Sequence, residues 1–379
     1  VEHYPRPALP RSAIILLTLA CAAVVAFGLA AMRGIVIPVF FAFVLTLCVH
    51  PLRRWMQGRG VPRGIATGTT ITAVFALLAG FAAVLVASLA QFATLLPQYA
   101  PELAELGASI GALLESVGFG PEQTQAVLQG FTPGRLISFI GGVLGNVTSI
   151  VGGLVVILTM LILMGVDGSR MPAVLTHLNY HRPDMVTAFN DFGRGVRRYM
   201  VATTVLGLAQ GLFNWLLLTI LQVPGALLWG LLSFICSFIP NIGYFIAIVP
   251  PLFFGYLTGG WPTVVAVVVF YGGINTVIQS IIQPKYVGNA VALSETITFA
   301  SVLFWAVILG PVGAVLAVPL TLLSRTILLD SDPAIAWWRP LTGDKKDLEA
   351  ILKQEDDAIR ARRARRGPAK PDPGSTPKA

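Results

Sequence analysis

The chain has 379 residues, 55% of them hydrophobic and only 12% charged, with a mean hydropathy of +0.77. Soluble domains carry about 25% charged residues, so this composition excludes an ordinary soluble protein and points to an all-α polytopic membrane protein. The net charge of +8 does not indicate nucleic acid, because no run joins a basic patch to interleaved aromatics. The positive residues sit in short loops and tails, where they set membrane orientation.

Ser12 to Ala31 follows Arg6 and Arg11, and its uncharged stretch exceeds the ~7–15 residues of a signal-peptide core. It is expected to be a retained first transmembrane helix. Ile35 to His50 forms a second span, short against the ~20 residues a crossing needs. Pro51 to Gly64 holds Arg53, Arg54, Arg59 and Arg63 and no acid, which places this loop and the N-terminus in the cytoplasm. Residues 1–64 thus read as a transmembrane hairpin with a basic cytoplasmic loop.

Residues 65–165 read as two spans around an extracytoplasmic segment. Ile65 to Leu96 runs outward. Pro97 to Arg135 carries Glu102, Glu105, Glu115 and Glu122 against Arg135. Leu103, Leu106, Ile110, Leu113 and Leu114 recur there at helical spacing, as in an amphipathic helix on a surface or a neighbouring subunit. Leu136 to Gly165 returns, rich in small residues, with Gly141 and Gly145 forming one small-xxx-small pair and Ser149 and Gly153 another. Residues 166–198 form a cytoplasmic amphipathic segment, with Pro183 at a first turn and Arg194, Arg197 and Arg198 after it. Residues 329–379 are a charged tail ending in a basic run, Arg360 to Arg366, and a Pro/Lys-rich end. A basic tail argues for a cytoplasmic C-terminus.

The transport core is assigned to 199–328. No Asp, Glu, Lys, Arg or His occurs from Tyr199 to Pro284, nor from Thr296 to Ser324. Lys285 and Glu295 are the two charges between, and each would cost roughly 2.5–3.5 kcal/mol inside hydrocarbon. Tyr199 to Gln222 and Thr263 to Ile282 are continuous spans. Ala226 to Thr258 is broken at Ile239-Pro-Asn-Ile-Gly243, and Thr296 to Leu328 at Gly310-Pro-Val-Gly313. Each limb reaches only ~21–24 Å at 1.5 Å per residue, short of the ~30 Å hydrocarbon core. The expectation is two re-entrant hairpins, 226–258 and 296–328, entering from opposite faces as an inverted repeat. With about six full transmembrane helices they make eight hydrophobic segments. A single bent crossing for each broken segment is the competing reading. Interrupted segments in corresponding positions point to a transporter's binding site.

Candidate solute contacts are neutral. Asn275, Gln279 and Gln283 lie four apart on one helix face, and Gln210 and Asn214 form a similar pair. Asn241 sits at the first tip, with Ser233 and Ser237 before it. For any one of these an interhelical hydrogen bond is the plain alternative. Together they suit a small, hydroxyl-rich, largely uncharged solute. Lys285 is expected to anchor a cytoplasmic corner, and Glu295 to start a hairpin limb, where a negative charge suits a helix N-terminus. There is no P-loop, no GxGxxG, no Ser/His/Asp set and no paired carboxylates, so neither an enzyme nor a cofactor is expected. Cys21, Cys48 and Cys236 lie in apolar segments as packing residues, and His177 and His181, four apart, lack a third ligand, so no metal site is expected.

The run QPKYVGNAVAL at 283–293, IPNIGYFIAIVPPLFFGYLTGG at 239–260, GPVGAVLAVPLTLL at 310–323 and VRRYM at 196–200 resemble the autoinducer-2 exporter family of bacterial inner-membrane permease-like proteins. The resemblance covers the layout of essentially the whole chain, with its specific motifs in the second half. It implies export of autoinducer-2 by some members and sodium/proton antiport by others. It also implies two helical hairpins at the substrate site, an elevator-like movement and a ring-like homo-oligomer, a pentamer. By match, Pro240, Asn241, Gly243, Pro311 and Gly313 at the tips and Gln283-Pro284-Lys285 at the corner carry over. Many members of the family place an acidic residue shortly before the QP, where this chain has Ile278, Gln279 and Ser280; that weakens the antiport expectation. The expected function is a secondary transporter or facilitator for a small polar organic solute in the lipid bilayer. The alternatives are a cation/proton antiporter and a non-transporting membrane scaffold.

Overall fold

The computed structural model describes residues 10–118, 120, 123, 133–145, 147–168, 170–283, 285, 293–331, 352–353 and 356–357. Among these every regular element is helical. Among the described residues six helices are long and apolar enough to cross a membrane: Ser12–Ala31, Arg33–Gly58, Arg63–Glu102, Thr148–Asp167, Pro183–Ile220 and Gly243–Ile282. The protein is an all-α polytopic membrane protein.

Helix α1 (Arg11–Ala31) begins after Pro10 and exposes apolar side chains along its length, Ile15, Leu16, Val24 and Phe27 among them. A helix apolar all round and unburied by its own chain is suited to lipid. Helix α2 (Arg33–Gly58) is longer than the span expected from Ile35 to His50, because it continues through Pro51. Proline has no N–H, so Pro51 leaves the Leu47 carbonyl without its intrahelical donor. Arg197 supplies one, its Nε donating to that carbonyl at 3.0 Å. Arg53 then reaches sideways, Nη1 donating to the Gly165 carbonyl at 3.2 Å.

Helix α3 (Arg63–Leu95) passes through a 3₁₀ turn, Leu96–Tyr99, into α4 (Ala100–Ser116). Much of the rest of the expected outer segment lies outside the described residues. The stretch expected to be one span from Leu136 to Gly165 is helical on both sides of residue 146, which lies outside the described residues, as α5 (Pro133–Gly145) and α6 (Val147–Asp167). Helix α7 (Met171–His181) is followed by α8 (Pro183–Ile220), which opens with Pro183 in its first turn and Asp184 beside the helix N-terminus. The amphipathic segment and the next span are thus one helix of 38 residues, unbroken across the 198/199 boundary.

The first broken segment folds as α9 (Ala226–Cys236) and α10 (Gly243–Ala266), packed on each other around the tip at Ser237 to Ile242. Gly260, at φ 61 and ψ −155, kinks α10; this backbone region is open almost only to glycine. The helical path continues through π turns at Val267–Tyr271 and Thr276–Ile282. Pro284 and most of the interruption that follows lie outside the described residues. The second broken segment folds as α11 (Glu295–Leu309), α12 (Pro311–Val315) and α13 (Ala317–Arg325). Ser294 caps α11, its hydroxyl accepting from the Ile297 amide at 3.3 Å. Trp305 Nε1 donates to Thr321 Oγ1 at 3.0 Å, which holds α11 and α13 side by side.

Two apolar cores form, both resting on α8. One gathers Phe40 and Val44 of α2, Phe192 to Met200 of α8, Phe238 and Ile239 of the first tip, and α11 to α13 from Val302 to Leu322. The other gathers Phe92 and Leu96, Leu218 of α8, Trp229 of α9, Phe254 of α10, and Val267 and Tyr271. The polar residues of α8 lie in the stretch between.

Candidate functional site

The site starts from glycine. Helices α8 and α9 approach so closely that a Cβ on Gly211 would stand 2.8 Å from the Gly230 carbonyl oxygen, and one on Gly230 2.7 Å from Trp215 Cβ. A Cβ on Gly207 would collide with the Ser237 hydroxyl. Gly207 and Gly211 form a GxxxG pair, the pattern that lets membrane helices touch backbone to backbone. That approach brings Ser233 of α9 onto the same face of α8 as Gln210 and Asn214.

The side chains then connect three elements. Asn214 Nδ2 donates to Ser233 Oγ at 2.7 Å. Gln210 Nε2 donates to Asn275 Oδ1 at 3.0 Å and stands 3.5 Å from Ser233 Oγ. Gln279 Nε2 donates to Gln210 Oε1 at 3.4 Å. Gln210 is 1% exposed, and Asn214 and Ser233 are 0% exposed. Tyr271 is fully buried with its hydroxyl near Ser233 and Asn214, yet no hydrogen bond of ordinary geometry reaches it, and Asn214 Oδ1 also lacks a protein donor. A buried amide oxygen and a buried phenol therefore keep unspent hydrogen-bonding capacity, which water or a hydroxylated molecule can satisfy.

Four of the residues expected to face solute, Gln210, Asn214, Asn275 and Gln279, are brought together here, and Ser233 joins them. Gln283 is half-buried one turn beyond and takes no part in these bonds. Pro240, Asn241, Gly243, Pro311 and Gly313 belong to the tips and are outside the network. Asn241 is exposed and takes φ 65, and Pro311 is exposed. Gly243 is pressed on the Cys236 carbonyl and Gly313 on the Trp305 carbonyl, each too closely to admit a Cβ. Tyr199 donates its hydroxyl to the Phe238 carbonyl at 3.3 Å, tying the first tip to α8. Phe238 and Ile239 of the first break and Leu309 and Ala314 of the second belong to the same apolar core. Lys285 is exposed, and Glu295 is exposed in the first turn of α11.

Sequence reasoning missed Tyr271 and the glycine contact. Both left a signal: Tyr271 lies four residues before Asn275, on the same stripe, and Gly207-x-x-x-Gly211 is a plain small-xxx-small pair. The π turns keep the stripe on one side, since residues four apart in a wider helix still lie close in line.

One turn from the network, between Leu206 and Ile282, lies a cavity of about 690 Å³. Its walls are Val201, Ala202, Val205, Leu206 and Ile282, and Pro51, Arg194, Arg197 and Arg198 complete it. Among the described residues no group of three His, Cys, Asp or Glu is placed to hold a metal ion. His177 and His181 are neighbours on the exposed face of α7.

Six membrane-length helices, two broken segments and a buried uncharged network define a polytopic α-helical membrane protein whose polar chemistry lies inside the helix bundle. The profile described as AI-2E family transporter matches residues 14–331, and the chain belongs to that family. It is 27% identical over 309 residues to "Putative transport protein YhhT" of Escherichia coli (strain K12), covering 81% of this chain and 88% of that protein. It is 26% identical over 314 residues to "AI-2 transport protein TqsA" of the same organism, covering 83% and 91%. A "Putative transport protein" of Haemophilus influenzae is 29% identical over 340 residues, covering 88% and 97%.

Proposed function

We propose that the chain is a secondary transporter or facilitator exporting a small polar organic solute across the bacterial inner membrane, with autoinducer-2 the first solute to test. The observation that carries this reading is the buried network of Gln210, Asn214, Ser233, Asn275 and Gln279, which has no ionisable acid or base and retains hydrogen-bonding capacity at Asn214 and Tyr271. Membrane interiors keep such groups only where they bind each other or a cargo. The relative named for AI-2 transport supports the choice of first solute.

In this reading, segments 226–258 and 296–328 are re-entrant hairpins whose tips gate the solute path, and an elevator-like shift of the 199–328 unit carries the solute. Asn241, Pro240 and Gly243 shape one gate, and Pro311 and Gly313 the other. Gln283 and Lys285 mark the cytoplasmic corner. Both termini are cytoplasmic, a reading supported by the clustering of Arg53, Arg54, Arg194, Arg197 and Arg198 near the Arg197–Leu47 bond and by the positive-inside rule. The protein works as a homo-oligomer, a pentamer.

The test is solute efflux from proteoliposomes. Asn241→Ala and Gln279→Ala should lose flux while assembly remains intact. Sodium-dependent proton movement abolished by Glu295→Gln would replace this reading with cation/proton antiport. No flux of any kind would leave a membrane scaffold.

A further inference from the structure

The cavity beside α8 does not have the walls of a path for a polar solute. Val201, Ala202, Val205, Leu206 and Ile282 line it, and the charge lies only at the arginine end. Val201 is 45% exposed and Val205 60% exposed, so the cavity is open along α8. An occupant that matches both parts has an apolar tail and an anionic head.

The arginine end is built rather than incidental. The missing N–H of Pro51 frees the Leu47 carbonyl, and Arg197 Nε binds it at 3.0 Å, which fixes the guanidinium at the rim. A guanidinium carries five N–H donors, so this bond uses one of them. Arg194 pairs with Asp191 on the exposed side, one turn away on the same helix. Arg198 adds a third guanidinium to the lining. At the same end of α2, Leu52 is 47% and Trp55 54% exposed, with Arg59 stacked 3.8 Å above the Trp55 ring. Exposed tryptophan with arginine marks the level of lipid headgroups. Arginine forks match phosphate oxygens in pairs.

We propose that this groove binds one anionic phospholipid, its phosphate on the Arg194–Arg197–Arg198 rim and an acyl chain along the Val201–Val205 wall. The lipid lies between α8 and the end of the helix at Ile282, where the polar interruption begins. The inference stands apart from the identity of the solute.

The full-length protein in detergent, titrated with phosphatidylglycerol or phosphatidylcholine of equal chain length, tests it by native mass spectrometry and thermal shift. Phosphatidylglycerol should be retained and should raise the melting temperature; phosphatidylcholine should do so far less. Val205→Trp, at an exposed position that leaves the fold little to lose, fills the groove without touching a charge and should abolish retention. Arg194→Gln with Arg198→Gln should weaken phosphatidylglycerol retention by roughly 25-fold, at about fivefold per arginine near an anionic headgroup. Equal retention of the two lipids overturns the proposal, as does unchanged phosphatidylglycerol binding in Val205→Trp. Stabilisation by glycerol 3-phosphate alone also overturns it, by assigning the rim to a soluble anion.

Discussion

Gln210→Ala removes the residue that joins all three elements of the network. The wild-type amide makes a 3.0 Å bond to Asn275, accepts a 3.4 Å bond from Gln279 and stands 3.5 Å from Ser233. Interhelical hydrogen bonds in membranes are worth ~0.6 kcal/mol on average and ~1.7 at most. One short and two long contacts therefore sum to about 1–2 kcal/mol. Gln210 is 1% exposed, so the vacated volume adds a cavity cost on top. A double-mutant cycle with Asn275→Ala, read by unfolding in detergent, should return a coupling of about 0.6–1.7 kcal/mol. Transport should fall further than stability does. A neutral hydrogen bond to solute is worth about 0.5–1.5 kcal/mol, so each lost contact lowers apparent affinity by about two- to tenfold. Efflux per folded molecule, measured across solute concentrations, separates the two effects. Stability loss with unchanged flux would make the network interhelical glue and refute its role in binding. Zero coupling in the cycle would refute the bond itself.

Other outcomes follow from single contacts. Gly243→Ala and Gly313→Ala should disrupt the tips, because each Cβ would collide with a carbonyl, at a cost of at least about 1–3 kcal/mol. Gly273→Ala meets nothing within 4 Å and should leave melting and flux unchanged. Arg197→Gln should cost stability in the wild-type background but much less alongside Pro51→Ala, which restores the donor for the Leu47 carbonyl; equal costs in both backgrounds would sink the assignment. Asp330→Asn removes the negative partner of a 3.3 Å ion pair with Arg325, the Arg325 and Asp330 side chains being 9% and 19% exposed, and should lower stability in unfolding assays.

Much of the fold is legible in order and type because hydropathy needs no partner. The apolar runs, the Pro/Gly breaks at 239–243 and 310–313, and the arginine loops each act through local chemistry. Element ends are less legible, and for a physical reason. Proline predicts a helix end at Pro51 only if nothing else satisfies the freed carbonyl, and the donor comes from Arg197, far away in sequence. The α8 boundary is hidden in the same way: Arg197 and Arg198 look like the edge of a membrane span, yet the helix needs no break there because its polar and apolar halves share one axis.

The sequence by itself determined the class of protein, the pairing of continuous and broken segments, and the candidate stripe Asn275–Gln279, since spacing on a helix depends on the backbone alone. Tertiary structure decided which polar residues meet. Asn214 and Ser233 are 19 positions apart and share a 2.7 Å bond because Gly207, Gly211 and Gly230 let α8 and α9 close, and Gln210 meets Asn275 at 3.0 Å across 65 positions. It also decided that the Tyr271 hydroxyl comes near Ser233 and Asn214 and that residues of both breaks join one core. These are contacts between distant parts of the chain, set by how closely backbones pack, and no local pattern encodes that distance.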